Sequence, residues 1–273
     1  AKKTTENVDI VSKKEKSGID IIVKENTKNE FIHIPVMITE SGVSDLVYND
    51  FYIGKDAEVT IIAGCGIHND KHLLSRHDGI HTFYLDEGAK VKYIEKHYGQ
   101  GEGTGERVLN PKTVVKLKKG ATLEMDSVQI EGVDSTIRET EGELEENSNF
   151  IVSEKIMTHG KQYAKTVFEV KLNGKNSSTH VISRSVAKDN SKQEFYSNVE
   201  GNTDCYGHVE CDAIIMDKGM VKAVPEILAN DVNARLIHEA AIGKIAGEQL
   251  TKLCTLGLTR EEAEQKIIEG FLK

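Results

Sequence analysis

The chain has no tryptophan, only three prolines and four cysteines in 273 residues, and aromatic side chains make up 5% of it. Each shortage excludes something. Four cysteines in a chain of this length do not make a disulfide framework, and no CxxC spacing marks a compact zinc module. Any metal chemistry must gather its ligands from distant positions. Lysine and arginine (35) are outnumbered by aspartate and glutamate (44), for a net charge of -9. That balance argues against a nucleic-acid or anionic-membrane surface. No apolar run approaches the ~18 residues of a spanning helix, and the N-terminus shows no signal-peptide core, so the expected compartment is the cytoplasm. The glycine-rich stretch "GQGEGTG" from Gly99 lacks the Lys-Ser/Thr ending of a phosphate loop and reads as a flexible loop between strands.

What is present is abundant glycine, abundant β-branched residues and a repeat. "IGKDAEVTII" from Ile53, "LDEGAKVKYI" from Leu85 and "LKKGATLEMD" from Leu117 align without gaps and place Ala57, Ala89 and Ala121 at two equal intervals. Each is a polar turn, a small residue, then strand-like alternation. Weaker echoes from Leu144, Leu172 and Val199 put Ser148, Ser177 and Thr203 in the alanine's place, at slightly shorter intervals. A period in this range with turn signals at each coil points to a β-solenoid; the alternative is an antiparallel sandwich with similar turns.

After "PEILAND" the pattern becomes helical: Ile242, Ile245, Ala246, Leu250, Leu253 and Cys254 recur at helical spacing, and Gly257 is a stop. Thr259 opens a capping box closed by Glu262, and Ala263, Ile267, Ile268 and Phe271 give the next helix an apolar face. An αα-hairpin this small must pack on the solenoid or on a partner.

Three places can carry chemistry: Cys211 in "HVECDAI", the pair His238–Glu239 before the helical stretch, and "GCGIHNDKHLLSRHDGIH", which holds Cys65 with His68, His72, His77 and His81. A single cysteine on an alternating strand is most often a small buried hydrophobe, and Val209, Cys211 and Ala213 share one strand face. A His-Glu pair is more often a hydrogen-bonded helix entry than a ligand pair. The histidine-rich stretch reads equally as a zinc or iron site and as a solvated loop.

The segment "HVECDAIIMD…VPEILANDVNARLIHEAAIGKIAGEQLTKLCTLGLTREEAEQKIIEGF" resembles the C-terminal signature of the SufB/SufD family of iron–sulfur cluster assembly proteins, SufB in particular. The likeness is dense from about Val199 onward and looser back to about Ile53. It implies a mostly β chain: a right-handed parallel β-helix with a small C-terminal α-helical domain. The corresponding division is residues 1–30 as an N-terminal extension or first strands, 31–229 as the β-helix core and 230–273 as the helical domain. The resemblance also implies a scaffold rather than an enzyme, with a transient iron–sulfur cluster built at the interface of two β-helix subunits. The helical domain would dock a SufC-type ABC ATPase. The second subunit would be another copy of the chain or a SufD-like paralogue, and a cysteine-desulfurase-type donor would supply sulfur.

Carried over by position, Cys211, Glu239 and His238 resemble cluster ligands, and Cys65 resembles the sulfur acceptor. Cys211 and Glu239 are about one coil apart in sequence, so they meet if their side chains face the same side. The histidine stretch departs from the family pattern and is expected to be dispensable. The rival reading is a metal-dependent β-solenoid enzyme using His68, His72, His77 and His81 with Cys65; a third is a purely structural solenoid.

Overall fold

The computed structural model describes residues 5–273. Among them the chain forms seventeen strands and then two helices. The strands are β1 (Val8–Ser12), β2 (Gly18–Val23), β3 (Lys28–Ile38), β4 (Ser44–Ile53), β5 (Glu58–His68) and β6 (Ser75–Leu85). Next come β7 (Lys90–Gln100), β8 (Arg107–Leu117), β9 (Thr122–Glu131), β10 (Ser135–Leu144), β11 (Asn149–Thr158) and β12 (Tyr163–Leu172). The series ends with β13 (Ser178–Ala187), β14 (Lys192–Gly201), β15 (Tyr206–Ile215), β16 (Met220–Ala229) and β17 (Arg235–Gly243). The helices are α1 (Gly247–Thr255) and α2 (Arg260–Phe271).

Even-numbered strands from β2 to β16 stack in one parallel sheet and odd-numbered strands from β3 to β17 in the other, so each coil contributes one strand to each. This is the parallel β-solenoid expected from the repeat. Only β1 departs, pairing antiparallel with β2 at the first edge.

The turn chemistry explains the repeat. Asp56, Gly88, Gly120, Asn147 and Asn176 all have φ between 55° and 70°, the left-handed region that Gly, Asn and Asp enter most readily. The next residue turns inward at a tight corner, which is why Ala57, Ala89, Ala121, Ser148 and Ser177 are small and fully buried. Ser148 also closes the turn by donating its Oγ hydrogen to the Glu145 carbonyl at 2.6 Å. The strand register puts Cys205, not Thr203, in the next position, because Tyr206 pairs with Ser178. The sequence alignment slips there because Cys205, like Ala, is a small buried side chain with no polar signature.

Between the sheets, inward side chains stack coil on coil into a main apolar core, with a smaller separate cluster around Cys65. Phe51 and Phe83 lie face to face at 4.3 Å and are fully buried, each side chain contributing about 1.5–3 kcal/mol by removal from water. The "GQGEGTG" stretch is more ordered than a flexible loop. Gly103 and Gly105 donate backbone hydrogen bonds to the carbonyls of Asn69 and Lys71. A Cβ on Gly105 would stand 2.1 Å from the Leu73 carbonyl oxygen. Alternate glycines are needed because this segment lies directly on the loop of the preceding coil.

The capping box at Thr259 and Glu262 is present, and Gly257 leaves α1 at φ 98°. Helix α1 is shorter than the periodicity implied: Ile242 lies in β17, and Ile245 and Ala246 precede the helix. Cys254, expected on the apolar helix face, is exposed. Ile268 and Leu272 pack on Val186 and Met216 of the solenoid, so the helical pair buries its face there. Lys155 and Arg184 donate hydrogen bonds to the carbonyls of Lys273 and Phe271, placing cations at the negative end of α2.

Candidate functional site

The three proposed ligands lie on neighbouring strands, but strand alternation separates them. Cys211 points into the lumen of the solenoid and is 2% exposed. Its register partners are Ser183 on β13 and Ala240 on β17. One full coil here leads from Tyr206 to its register partner Arg235, and equally from Cys211 to Ala240. Glu239 therefore falls one residue short of Cys211's partner, and one residue reverses the side-chain direction. Glu239 pairs with Glu210 on the outer face, where it accepts a hydrogen bond from His208 Nε2 at 3.1 Å. His238 pairs with Val209 and shares the lumen side with Cys211. Neither ring nitrogen of His238 has a partner, and burial, then His208, holds its pKa below the ordinary imidazole value. The His-Glu pair is thus mid-strand, not at a helix entry. Within one chain the strands bring Cys211 and His238 to one side and Glu239 to the other. Burial, then Glu154 and Asp212, pushes the Cys211 thiol up to about 12, so it is protonated at neutral pH.

Cys65 is also a lumen residue, 4% exposed, and its register partner is His97 on β7. Burial, then Glu95, raises the pKa of its thiol. Across the lumen from it stand His77, Gly79 and His81 of β6. From this slot a hydrogen-bonded chain leads along the interior. Asn49 Nδ2 donates to His81 Nε2 at 3.3 Å. That fixes His81 as the Nδ1–H tautomer, which donates to Tyr93 Oη at 2.8 Å. Tyr93 donates to Glu95 Oε1 at 2.8 Å. Arg138 Nη1 donates to His97 Nδ1 at 2.8 Å, which leaves His97 Nε2–H facing Glu95 Oε1 at 3.5 Å. Arg138 Nη2 reaches Ser127, and its Nε donates to Glu154 Oε1 at 3.0 Å. Ser183 donates to Glu154 Oε2 at 2.9 Å. In strand register this is one inward ladder: Glu95, Ser127, Glu154, Ser183, Cys211. A buried polar line thus runs from the neighbours of Cys65 to the neighbour of Cys211. Five coil steps separate the two cysteines, about 24 Å at ~4.8 Å per strand.

Glu95, His97, Arg138 and Glu154 were not singled out from sequence. The signal was there in "VKYIEKHYG": Val91 and Tyr93 are inward residues, and continuing the alternation puts Glu95 and His97 inward as well. Charged residues at core positions are the exception that marks a polar interior.

The histidine stretch divides. His68 and His72 lie outside, bonded to Asp70 at 2.7 Å and to Thr104 at 2.8 Å. His77 and His81 lie inside, each 3% exposed. Among the described residues, no group of three or more His, Cys, Asp or Glu is placed to hold a metal ion, and these four histidines do not converge. At the last coil, Val224, Ile227, Leu228, Ile237 and Ile242 are between 36% and 47% exposed. β16 and β17 are the terminal strands of their sheets, so this end carries apolar side chains and unpaired strand edges together. Among the described residues, no helix is long and apolar enough to cross a membrane.

The family model described as SUF system FeS cluster assembly, SufBD core domain, matches residues 37–271. An iron-sulfur cluster assembly SufBD family protein of Methanocaldococcus jannaschii is 28% identical over 270 residues, covering 96% of this chain and 84% of its own length. A SufBD family protein of Archaeoglobus fulgidus is 29% identical over 83% of this chain, which spans 60% of that relative. The iron-sulfur cluster assembly protein SufB of Bacillus subtilis is 36% identical over 104 residues, 36% of this chain and 22% of its own length. The chain belongs to the SufBD family of the iron–sulfur cluster assembly system.

Proposed function

We propose that the chain is an assembly scaffold that receives sulfur at Cys65 and builds a nascent iron–sulfur cluster at the open C-terminal end of its solenoid. The observation that carries this reading is the buried polar ladder between the two lumen cysteines. A core gains nothing in stability from Glu95, Arg138 and Glu154 that apolar residues of the same volume would not give. Their presence beside both thiols fits a route for a polar cargo. The cavity beside Cys211 is only about 10 Å³, so transfer requires the coils to loosen. A SufC-type ATPase docked on α1 and α2 supplies that movement, since α2 is fastened to β11 and β13.

At the open end, a second copy of the chain or a SufD-like paralogue covers the apolar face of β16 and β17. Iron is then held by Cys211 and by His238 and Glu239, the latter from whichever subunit presents its outer face. A thiolate suits iron, while imidazole and carboxylate are labile enough for a cluster that must leave. The division of labour gives β2–β17 the scaffold role and the helical pair the docking role. This reading differs from a resident-metal enzyme in that the cluster is cargo.

The test follows the order of sulfur transfer. Labelled sulfur delivered by a cysteine desulfurase should accumulate on Cys65 in Cys211→Ser. It should be absent from Cys211 in Cys65→Ser, with both read by mass spectrometry of the peptides. Label on Cys211 in the absence of Cys65 would end the proposal.

A further inference from the structure

We infer that His77, held by Asp45, is the proton acceptor for the Cys65 thiol when sulfur is loaded; this rests on Cys65 as the sulfur acceptor. His77 Nδ1 stands 3.1 Å from Asp45 Oδ2. A carboxylate accepts only, so the proton is on Nδ1 and Nε2 keeps its lone pair. That Nε2 is buried, in a residue 3% exposed, and has no hydrogen-bond partner. A buried acceptor left unpaired is destabilising unless something else uses it.

Its position indicates the use. His77 and Cys65 line the same slot. A Cβ on Gly79 would stand 3.5 Å from His77 Nε2 and 3.4 Å from His81 Nε2, so the missing side chain at Gly79 leaves room between the two imidazoles. His81 cannot serve as base, because Asn49 already occupies its Nε2 and burial holds its pKa at about 4. His77 is the one with a free lone pair. Burial keeps it neutral against the pull of Asp45, as a base must be before it acts. The other titratable groups around the slot are Glu95 and His97 of β7. Asp45 thus orients His77 as a third group orients the base of an activated nucleophile, and Cys65 lines the slot beside it. No hydrogen bond joins His77 to Cys65 in this resting state; such contacts commonly tighten only when the reacting partner is bound.

The step balances. The Cys65 thiol proton passes to His77 Nε2. The thiolate sulfur bonds to the outer sulfur of a donor persulfide, R–S–SH, and the donor S–S bond breaks. The donor leaves as R–S⁻ and takes the proton back from His77. The products are a Cys65 persulfide and the donor thiol, with no net oxidation or reduction.

The test uses the full chain with two probes, inorganic tetrasulfide for sulfur uptake and iodoacetamide for thiol reactivity, both read by peptide mass at Cys65. At pH 7, His77→Gln should slow both reactions about tenfold or more, against the roughly 10²–10⁴-fold that a general base typically contributes. Asp45→Asn should slow them several-fold. His68→Ala and His72→Ala should leave them unchanged. The His77→Gln deficit should close toward pH 10, where hydroxide replaces the base. A wild-type rate in His77→Gln, or the same slowing at every pH, overturns the inference; so does a wild-type Cys65 inert to both probes. His77-dependent alkylation without any sulfur uptake would sink the acceptor reading while leaving the base assignment intact.

Discussion

Replacing Arg138 by Leu tests the polar lumen directly. The Arg138 side chain is 5% exposed and lies between two buried carboxylates, 3.5 Å from Glu95 Oε2 and 3.0 Å from Glu154 Oε1. Leucine fills much of the volume but takes the guanidinium from both carboxylates, leaving Glu95 only its histidine neighbours. Removing one partner of a buried ion pair costs about 3–5 kcal/mol. At roughly 2–4 °C per kcal/mol for a domain of this size, the melting temperature should fall by roughly 6–20 °C. The pH dependence gives a second signature. In the native protein burial raises the Glu95 pKa, but His97, Arg138 and His81 together hold it below the ordinary carboxyl value. Its contribution to stability is therefore present above the unfolded pKa of ~4.3 and lost as pH falls below it. In Arg138→Leu, burial is less opposed, the Glu95 pKa rises, and ionised Glu95 destabilises the fold. The gap between wild type and variant should be largest at neutral pH and should narrow as pH is lowered toward ~4.3. Urea melts followed by circular dichroism at several pH values measure it. A variant within about 1 kcal/mol of wild type at pH 7, or a gap that does not change with pH, would refute the reasoning.

Two further outcomes follow from the packing. Truncation at Ala246 removes α1 and α2 and uncovers Val186 and Met216. The β signature in circular dichroism should persist, while co-purification with the ATPase is lost; retained binding would move the docking surface elsewhere. Gly105→Ala puts a Cβ 2.1 Å from the Leu73 carbonyl oxygen and should cost about 1–3 kcal/mol, the price of forced displacement in a packed region, read as a shift of the urea midpoint.

The solenoid was legible because successive coils from Asp56 to Asn176 use the same corner: a left-handed turn residue followed by a small buried one. That requirement writes Asp56–Ala57, Gly88–Ala89 and Asn147–Ser148 into the sequence. It fades at Asp204–Cys205, where the alignment slipped. The site was legible in its residue types but not in its geometry. Coil length is not constant: the step from Val108 to its partner Ser135 is shorter than the step from Ser44 to its partner Arg76. A single residue decides whether Glu239 faces Cys211 or solvent. Turn lengths set that register, and a single sequence does not display it. The histidines failed for a related reason. His77 and His81 differ from His68 and His72 only in lying on the inward positions of β6, which the strand boundary alone determines. Helix α1 was overextended because Ile242 and Ile245 continue the apolar pattern of the last coil into the helix.

The most direct measurement is cluster content after anaerobic co-expression with the ATPase and the sulfur donor. Visible absorbance, with iron and sulfide analysis, should report an oxygen-labile cluster on the wild-type protein. Cys211→Ser and Glu239→Ala should each lose it while subunit and ATPase contacts survive. Cys254→Ser, on the exposed side of α1, should keep it. Wild-type iron and sulfide in Cys211→Ser would contradict the account at its centre.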